Sequence, residues 1–442
     1  MRASSSRALG KRLERGRKIT FSGSPLGRSI IFFLRIGLWG SVAASSVLTG
    51  CESTNHMLTA TEHALASRTG TTVMEVIGGK SPSSIAKRRL DEYAKDPERL
   101  VNDLRAAQRD FQALYNALNG KVTEKWGPKE VKLPEKKKYV KYTQSYTSRA
   151  IVDFDRGEIT VETLDDKNPR ESLSRAVVTT LLTPQDPRAV DVFSDKEIQL
   201  TGEPYLLGLV VDQQGKAVRT EAAAQSFAAY LLDKKIGTRL IEQDGNKKQA
   251  TFVTMHMVAN LPQKQAEKYR PLVLRFSEQY QLSPSLVFAI IRTESNFNPY
   301  AVSSVPAYGL MQLVPTSGGR EAYRRAKGQD VAPSRDYLFD PEHNVELGTA
   351  YLNVLMFNQL EEVTNRVSRE YCVIAAYNTG AGNVLRTFSK NHASAVQQIN
   401  GLQPGALYDE LRAHLPYQET RHYLDKVATY RKAFVVSSPA TN

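Results

Sequence analysis

RTESNFNPYAVSSVPAYGLMQLVPTSGG, from Arg292 to Gly319, is the stretch that decides how this chain is read. It opens near one glutamate, Glu294, and continues through small, amide and apolar residues with no Asp or Glu until Glu321, although the chain as a whole is 24% charged. Just upstream, Ser283-Pro284 begins a predicted helix that runs through Leu286, Val287, Ala289 and Ile290 to Glu294, with Ser as N-cap and Pro in the first turn. Glu294 therefore falls in the last turn of an apolar helix. There the macrodipole and the exclusion of water both disfavour ionisation and raise a carboxyl pKa. The competing reading is an ordinary solvated helix-end glutamate, and only the surrounding residues can decide between the two.

Working outward, the helix belongs to a C-terminal region of helices joined by Gly/Pro/Asn loops, beginning after Leu261-Pro262. Tyr269, Leu272, Val273, Phe276 and Tyr280 form one apolar stripe, with Pro271 expected near that helix's start or at a kink. Further helices are predicted at 341–360, 368–378 and 418–434. Before this region, Ala150 to Phe154 alternates, turns at Asp155-Arg156-Gly157 and resumes at Ile159-Thr160-Val161, which predicts a β-hairpin. Asn168-Pro169-x-Glu171 opens a helix through Leu182, and Thr251 to Val258 reads as a last strand. A helix is expected from Pro97 to about Leu118, stopped by Asn119-Gly120. The Lys-rich piece Pro128 to Lys141 reads as a solvated charged face or edge, and no nucleic-acid partner is expected.

The 442 residues carry a formal charge of +13. Nine Lys/Arg against one Glu within Met1–Gly50 account for eight of these charges, leaving +5 for the rest, which suits a polyanionic wall or membrane surface. Those first residues have a basic region, then an apolar stretch Ile36–Val47, then Leu48-Thr49-Gly50-Cys51. That is the layout of a secretory signal. Leu-x-Gly-Cys after such a stretch resembles the lipobox of bacterial lipoproteins. The resemblance implies that Cys51 is lipidated as the first mature residue, and Glu52 behind it resembles the outer-membrane sorting pattern. A transmembrane anchor is the alternative, disfavoured because Arg35 leaves the apolar run short for a span. The remaining cysteine, Cys372, lies in an apolar run and is expected to be a buried thiol.

The expected organisation is a lipoprotein signal peptide (1–50), a lipidated tether (51–80), an α+β N-terminal domain (81–260) and a mostly α domain (261–442). No metal site or cofactor is expected, since the His residues lack ligand spacing.

Glu294-Ser295, Asn298-Pro299, Ala301, Ser303, Gly309-Leu310-Met311-Gln312 and Pro315-Thr316 resemble, in order and spacing, the signature of lytic transglycosylases with a goose-lysozyme-like domain. Ala376-Tyr377-Asn378-x-Gly380-x-Gly382 and Glu419-Thr420-Arg421-x-Tyr423 resemble that family's two downstream motifs. Where many members have Gly-Ala-x-Gly, this chain has Pro306-Ala307-Tyr308-Gly309. The resemblance implies a lysozyme-like catalytic domain acting on peptidoglycan glycan strands at the periplasmic face of the bacterial outer membrane. It implies that Glu294 is the acid and then the base, and that Ser303, Gln312, Tyr377, Asn378, Tyr423 and Glu419 line the substrate cleft. Glu419 is also readable as a helix-start residue paired with Arg421 or Arg412. Hydrolysis of glycosides usually employs two carboxylates; the carboxylate-free stretch suits a chemistry that needs one. A true muramidase on the same fold, and a non-catalytic murein-binding lipoprotein, stay open at this point. The N-terminal domain is read as serving substrate alignment, spacing, or docking of a cell-wall enzyme partner.

Overall fold

The computed structural model describes residues 97–434. Cys51, the expected leader and the expected tether lie outside the described residues. An antiparallel sheet flanked by helices comes first, and a helical region follows it, as the sequence predicts.

Helix α1 (Pro97–Trp126) runs about two turns beyond the expected stop. Gly120 sits in its interior, at a cost of about 1 kcal/mol relative to Ala. Burial outweighs that cost: Phe111, Leu118, Val122 and Trp126 continue a single buried stripe, and the Trp126 indole donates to the Tyr146 carbonyl at 2.8 Å. The helix ends instead at Gly127, whose φ of +83° and contact with the Glu242 carbonyl leave no room for a Cβ.

Strands β1 (Lys138–Thr143), β2 (Ser148–Asp153), β3 (Glu158–Thr163), β4 (Gly237–Gln243) and β5 (Asn246–His256) form one sheet in the order β1-β2-β3-β5-β4. The predicted hairpin is β2–β3, in register Val152↔Ile159, and the predicted last strand is β5, paired to β3 with Ile159↔Met255. Because side chains alternate between faces, Tyr139, Val152, Ile159 and Met255 make one buried row across four strands. Helix α2 (Pro169–Leu181) packs over β2 and β3, with α3 (Glu221–Lys234) against it.

In the Lys-rich segment Lys129 and Lys132 are exposed and β1 is an edge strand, in line with the reading as a solvated face or edge, but Lys141 departs from it. Lys141 is 1% exposed and donates to the carbonyls of Asp191 (2.8 Å) and Ser194 (2.7 Å). Arg149 is also buried, its guanidinium 3.8 Å from the Trp126 ring centre and paired with Glu162 at 2.6 Å. The cations are tolerated because each is hydrogen-bonded or paired.

Helix α4 (Leu261–Gln279) carries Pro262 in its first turn and Pro271 in its interior, so of the two expected placements of Pro271 the one near the helix start is excluded. The lost backbone bond is offset by burial of Tyr269, Val273 and Phe276. Helix α5 (Pro284–Glu294) is buried from Ser285 to Ile291 with no polar face, so it forms the centre of the helical region. Around it lie α6 (Gly318–Lys327), α7 (Arg335–Phe339), α8 (Pro341–Val354), α9 (Arg366–Thr379), α10 (Ala381–Phe388), α11 (His392–Asn400), α12 (Pro404–His414) and α13 (Gln418–Lys432). Helix α13 packs along α5, and α9 packs along α13. The predicted 341–360 helix is α8 followed by a short π-helical turn at Leu355–Gln359.

Cys372 is fully buried on α9, and burial pushes its thiol up to about 12. It is expected not to react with a thiol-specific disulfide reagent at pH 8 until the protein is unfolded. Rapid native labelling of Cys372 would contradict this placement.

Candidate active site

Glu294 ends α5 and is 6% exposed. Ser295 caps the helix: its hydroxyl lies 3.1 Å from the Ile291 carbonyl and 2.8 Å from that of Leu310. Asn296 and Phe297 then follow at φ +47° and +61°. Two successive non-glycine residues in the left-handed region are costly and are held only by their surroundings. Phe297 is held by burial against Tyr269, Phe288 and Phe434. Asn296 is held by hydrogen bonds to the Phe154 carbonyl (2.6 Å) and the Asp155 carboxylate (3.2 Å), both on the β2–β3 turn.

Burial raises the Glu294 pKa above the ordinary carboxyl value, and the negative charge of Glu419 adds to the rise. Lys136 and the Tyr423 hydroxyl work in the opposite direction. The Lys136 ammonium lies 3.5 Å from the carboxylate. The Tyr423 hydroxyl faces Glu294 and lowers its pKa, yet it does not complete a hydrogen bond of ordinary geometry. The net direction is upward because desolvation dominates.

The Tyr308–Gln312 loop is bound to this centre at three points. Tyr377, half-buried on α9, donates to the Met311 carbonyl at 2.9 Å, and Ser295 reaches the Leu310 carbonyl. Asn344 on α8, fully buried, donates to the carbonyls of Tyr308 (2.8 Å) and Leu338 (2.7 Å) and accepts from the Met311 amide (2.7 Å). Gly309 has φ +74°, and a Cβ there would lie 2.5 Å from both the Asn344 amide nitrogen and the Leu338 carbonyl oxygen. Glycine is required for that approach.

The residues expected around the acid are placed as follows. Burial raises the pKa values of Tyr377 and Tyr423, and the charge of nearby Glu294 adds to the rise in both. Asn378 accepts a 2.7 Å bond from Thr420, which ties α9 to the first turn of α13. Gln312 uses its amide nitrogen on the carbonyls of Ala301 and Gly309, leaving its buried side-chain oxygen without a partner. Ser303 is half-buried and donates within its own loop to the Val305 carbonyl. Glu419 is exposed in the first turn of α13. Its supposed partners are engaged elsewhere: Arg412 pairs with Asp425 at 2.7 Å, and Arg421 donates to the Leu415 carbonyl at 2.6 Å. An open groove of about 390 Å³ is lined by Asp409, Arg412, Gln418, Arg421, His422 and Asp425, and it does not include Glu294.

Sequence reasoning passed over Lys136 and Asn344, and named Asn298 as part of the first motif without giving it a role. Lys136 is hidden in a lysine-rich run and lies far from Glu294 in the chain. Asn298 sits in the first motif, and its amide donates to the Lys136 carbonyl at 3.2 Å. Asn344 is one amide in α8, and nothing in its local spacing marks it.

Glu294, the Tyr308–Gln312 loop and Tyr377 all lie within a segment that matches a known domain family. Residues 271–400 fit the family described as the transglycosylase SLT domain. Residues 93–268 fit the family described as the N-terminal domain of membrane-bound lytic murein transglycosylase C. Two relatives bearing that name come from Serratia proteamaculans (strain 568) and Pectobacterium atrosepticum (strain SCRI 1043). The first is 42% identical over 76% of this chain and 92% of its own length, the second 44% identical over 77% and 93%. The chain belongs to the membrane-bound lytic murein transglycosylase C family. A solved lytic transglycosylase Slt from Pseudomonas aeruginosa aligns at 31% identity over 37% of this chain and 23% of that one, with a TM-score of 0.28.

Proposed function

We propose that the chain cleaves the β-1,4 bond between N-acetylmuramic acid and N-acetylglucosamine without water, leaving a 1,6-anhydro-N-acetylmuramic acid end. The observation that carries the reading is the environment of Glu294: a carboxyl 6% exposed whose pKa is raised chiefly by burial. A neutral acid of this kind can protonate the departing glycosidic oxygen, so that the N-acetylglucosamine side leaves as an alcohol. The substrate's own N-acetyl carbonyl holds the positive anomeric centre, as in substrate-assisted glycosidases. The Glu294 carboxylate then takes the proton of the muramyl C6 hydroxyl as that oxygen attacks C1 and closes the ring. The carboxyl ends protonated as it began, and no second carboxyl is needed to activate water. Attack within one sugar also has the advantage of a pre-positioned group.

In this reading the Tyr377 ring and the side chains of Asn378, Tyr423 and Ser303 flank the sugars. The unpartnered Gln312 oxygen suits a sugar hydroxyl or N-acetyl NH. Lipidation at Cys51 would hold the enzyme at the periplasmic face of the outer membrane, in keeping with relatives named membrane-bound. The chain then divides at about residue 260 into an α+β domain and the lysozyme-like domain.

One observation favours a second reading. Glu419 is exposed and close enough to be felt by Glu294, so it offers a carboxylate that could direct water in a muramidase. Mass analysis of purified murein digested by the mature protein separates the two. The expected products lack one water relative to hydrolysed fragments. Products heavier by that water would transfer the assignment to hydrolysis.

A further inference from the structure

The helical region does not complete the surroundings of Glu294 by itself. Lys136 belongs to the segment that leads into β1. The Glu135 amide donates to the Lys138 carbonyl at 3.0 Å, and the Phe154 amide donates to the Lys137 carbonyl at 3.0 Å. These bonds fold the segment back against the β2–β3 turn. Asn298 then grips the Lys136 carbonyl, and Asn296 grips the Phe154 carbonyl and Asp155. Asn296 and Asn298 follow Glu294 within four positions, so the residues that fix the end of α5 also fix where the lysine backbone lies. Tyr300 adds a third tie by donating to the Pro184 carbonyl, and its ring packs against Tyr139 and Tyr205.

We propose that Lys136 is a positioning residue through which the sheet-bearing N-terminal region completes the catalytic centre, its ammonium steadying the Glu294 carboxylate between proton donation and proton recovery. The inference rests on Glu294 being the acid and base. A carboxyl used in both directions must be neither so acidic that it stays ionised nor so desolvated that it cannot exist as an anion. Burial supplies the first condition. A cation 3.5 Å away supplies the second. The other groups facing the carboxyl do not substitute for it. Tyr377 donates its hydroxyl to Met311, Tyr423 is neutral, and Glu419 carries charge of the wrong sign. Lys136 is 40% exposed, so it sits at the solvent edge of the site, where an incoming glycan strand would further exclude water and strengthen the pairing. The neighbouring Lys137 pairs with Asp155 at 3.1 Å and provides an internal control.

The test is the Glu294 titration in the full-length mature protein, followed by carboxyl ¹³C NMR and by the pH profile of kcat/KM on purified murein. Donation requires the protonated acid, so activity falls as pH rises through the Glu294 pKa. Lys136→Met is expected to move that falling limb and the NMR midpoint upward by about one pH unit, the lower end for a charge within about 4–6 Å because solvent screens the exposed ammonium. Lys136→Arg and Lys137→Met are expected to leave both in place. A Lys136→Met midpoint coincident with wild type would overturn the inference. The NMR readout does not depend on turnover, so a Glu294→Gln protein with full activity would remove the acid–base reading without affecting the measured coupling. Thermal unfolding of each variant shows that the protein compared is folded.

Discussion

Glu294→Gln is expected to reduce murein solubilisation by on the order of 10³–10⁴-fold, at the upper end of what one positioned acid or base contributes, because one carboxyl serves both halves of the reaction. Gln has nearly the same shape, so lost packing does not account for the effect. The same variant is expected to be more stable than wild type near neutral pH and nearly equal to it near pH 4. The folded-state pKa of Glu294 lies above its unfolded value, because burial penalises the anion. Below the unfolded value of about 4.3 the carboxyl is protonated in both states. As pH rises from there, the unfolded chain ionises first, so the native state binds more protons and wild-type stability falls until the raised folded pKa is passed. The amide does not ionise and escapes that loss. Lys136, left without its partner, can rehydrate because it is partly exposed. Thermal unfolding of both proteins at pH 4 and pH 7 measures the difference. Curves that stay parallel across this range would show that Glu294 is not strained by burial. Solubilisation equal to wild type would leave a murein-binding role in place of the catalytic one.

What the sequence made legible follows from where the determining interactions lie. The β2–β3 hairpin, the Asn168-Pro169 start of α2 and the Ser283-Pro284 start of α5 are local, and spacing and turn residues specify them. The exposure pattern of β4 explains why it was passed over. As an edge strand with Leu240 64% exposed, it carries too weak an alternation to be recognised alone. Helix α3, EAAAQSFAAYLLDK, is marked by Thr220, whose hydroxyl accepts from the Ala223 amide, but its Ala-rich face gives little periodicity. The stop assigned to Asn119-Gly120 failed because Val122 and Trp126, further along, bury more than the glycine costs. For the site, Glu294 and its loop could be recognised because they are contiguous. Lys136 and Asn344 could not, since each reaches the centre through tertiary contacts that no local pattern encodes.

Asn344→Asp is expected to destabilise the protein by about 3 kcal/mol and to disable the loop beside Glu294. The substitution keeps an oxygen for the Met311 amide but places a second oxygen where the amide nitrogen now serves the Tyr308 and Leu338 carbonyls. The buried Leu338 carbonyl loses its side-chain donor, at about 1–3 kcal/mol, and the Tyr308 carbonyl is left with the Leu313 amide alone while facing the new oxygen. An ionised carboxylate would be worse, since the position is fully buried and no cation is among its hydrogen-bond partners. At roughly 2–4 °C per kcal/mol for a chain of this kind, the melting temperature should fall by about 6–12 °C. The functional consequence goes beyond stability, because the loop held by Asn344 presents the Met311 carbonyl to Tyr377 and the Leu310 carbonyl to Ser295. Asn353, also on α8, gives the contrast. It donates to the Tyr280 carbonyl and accepts from Arg325, away from the loop. Asn353→Asp should therefore lower stability while leaving kcat per folded molecule near wild type, whereas Asn344→Asp should lower kcat even at temperatures where it is fully folded. If the two variants lose activity only in proportion to their unfolded fractions, the loop does not depend on Asn344 for its catalytic position.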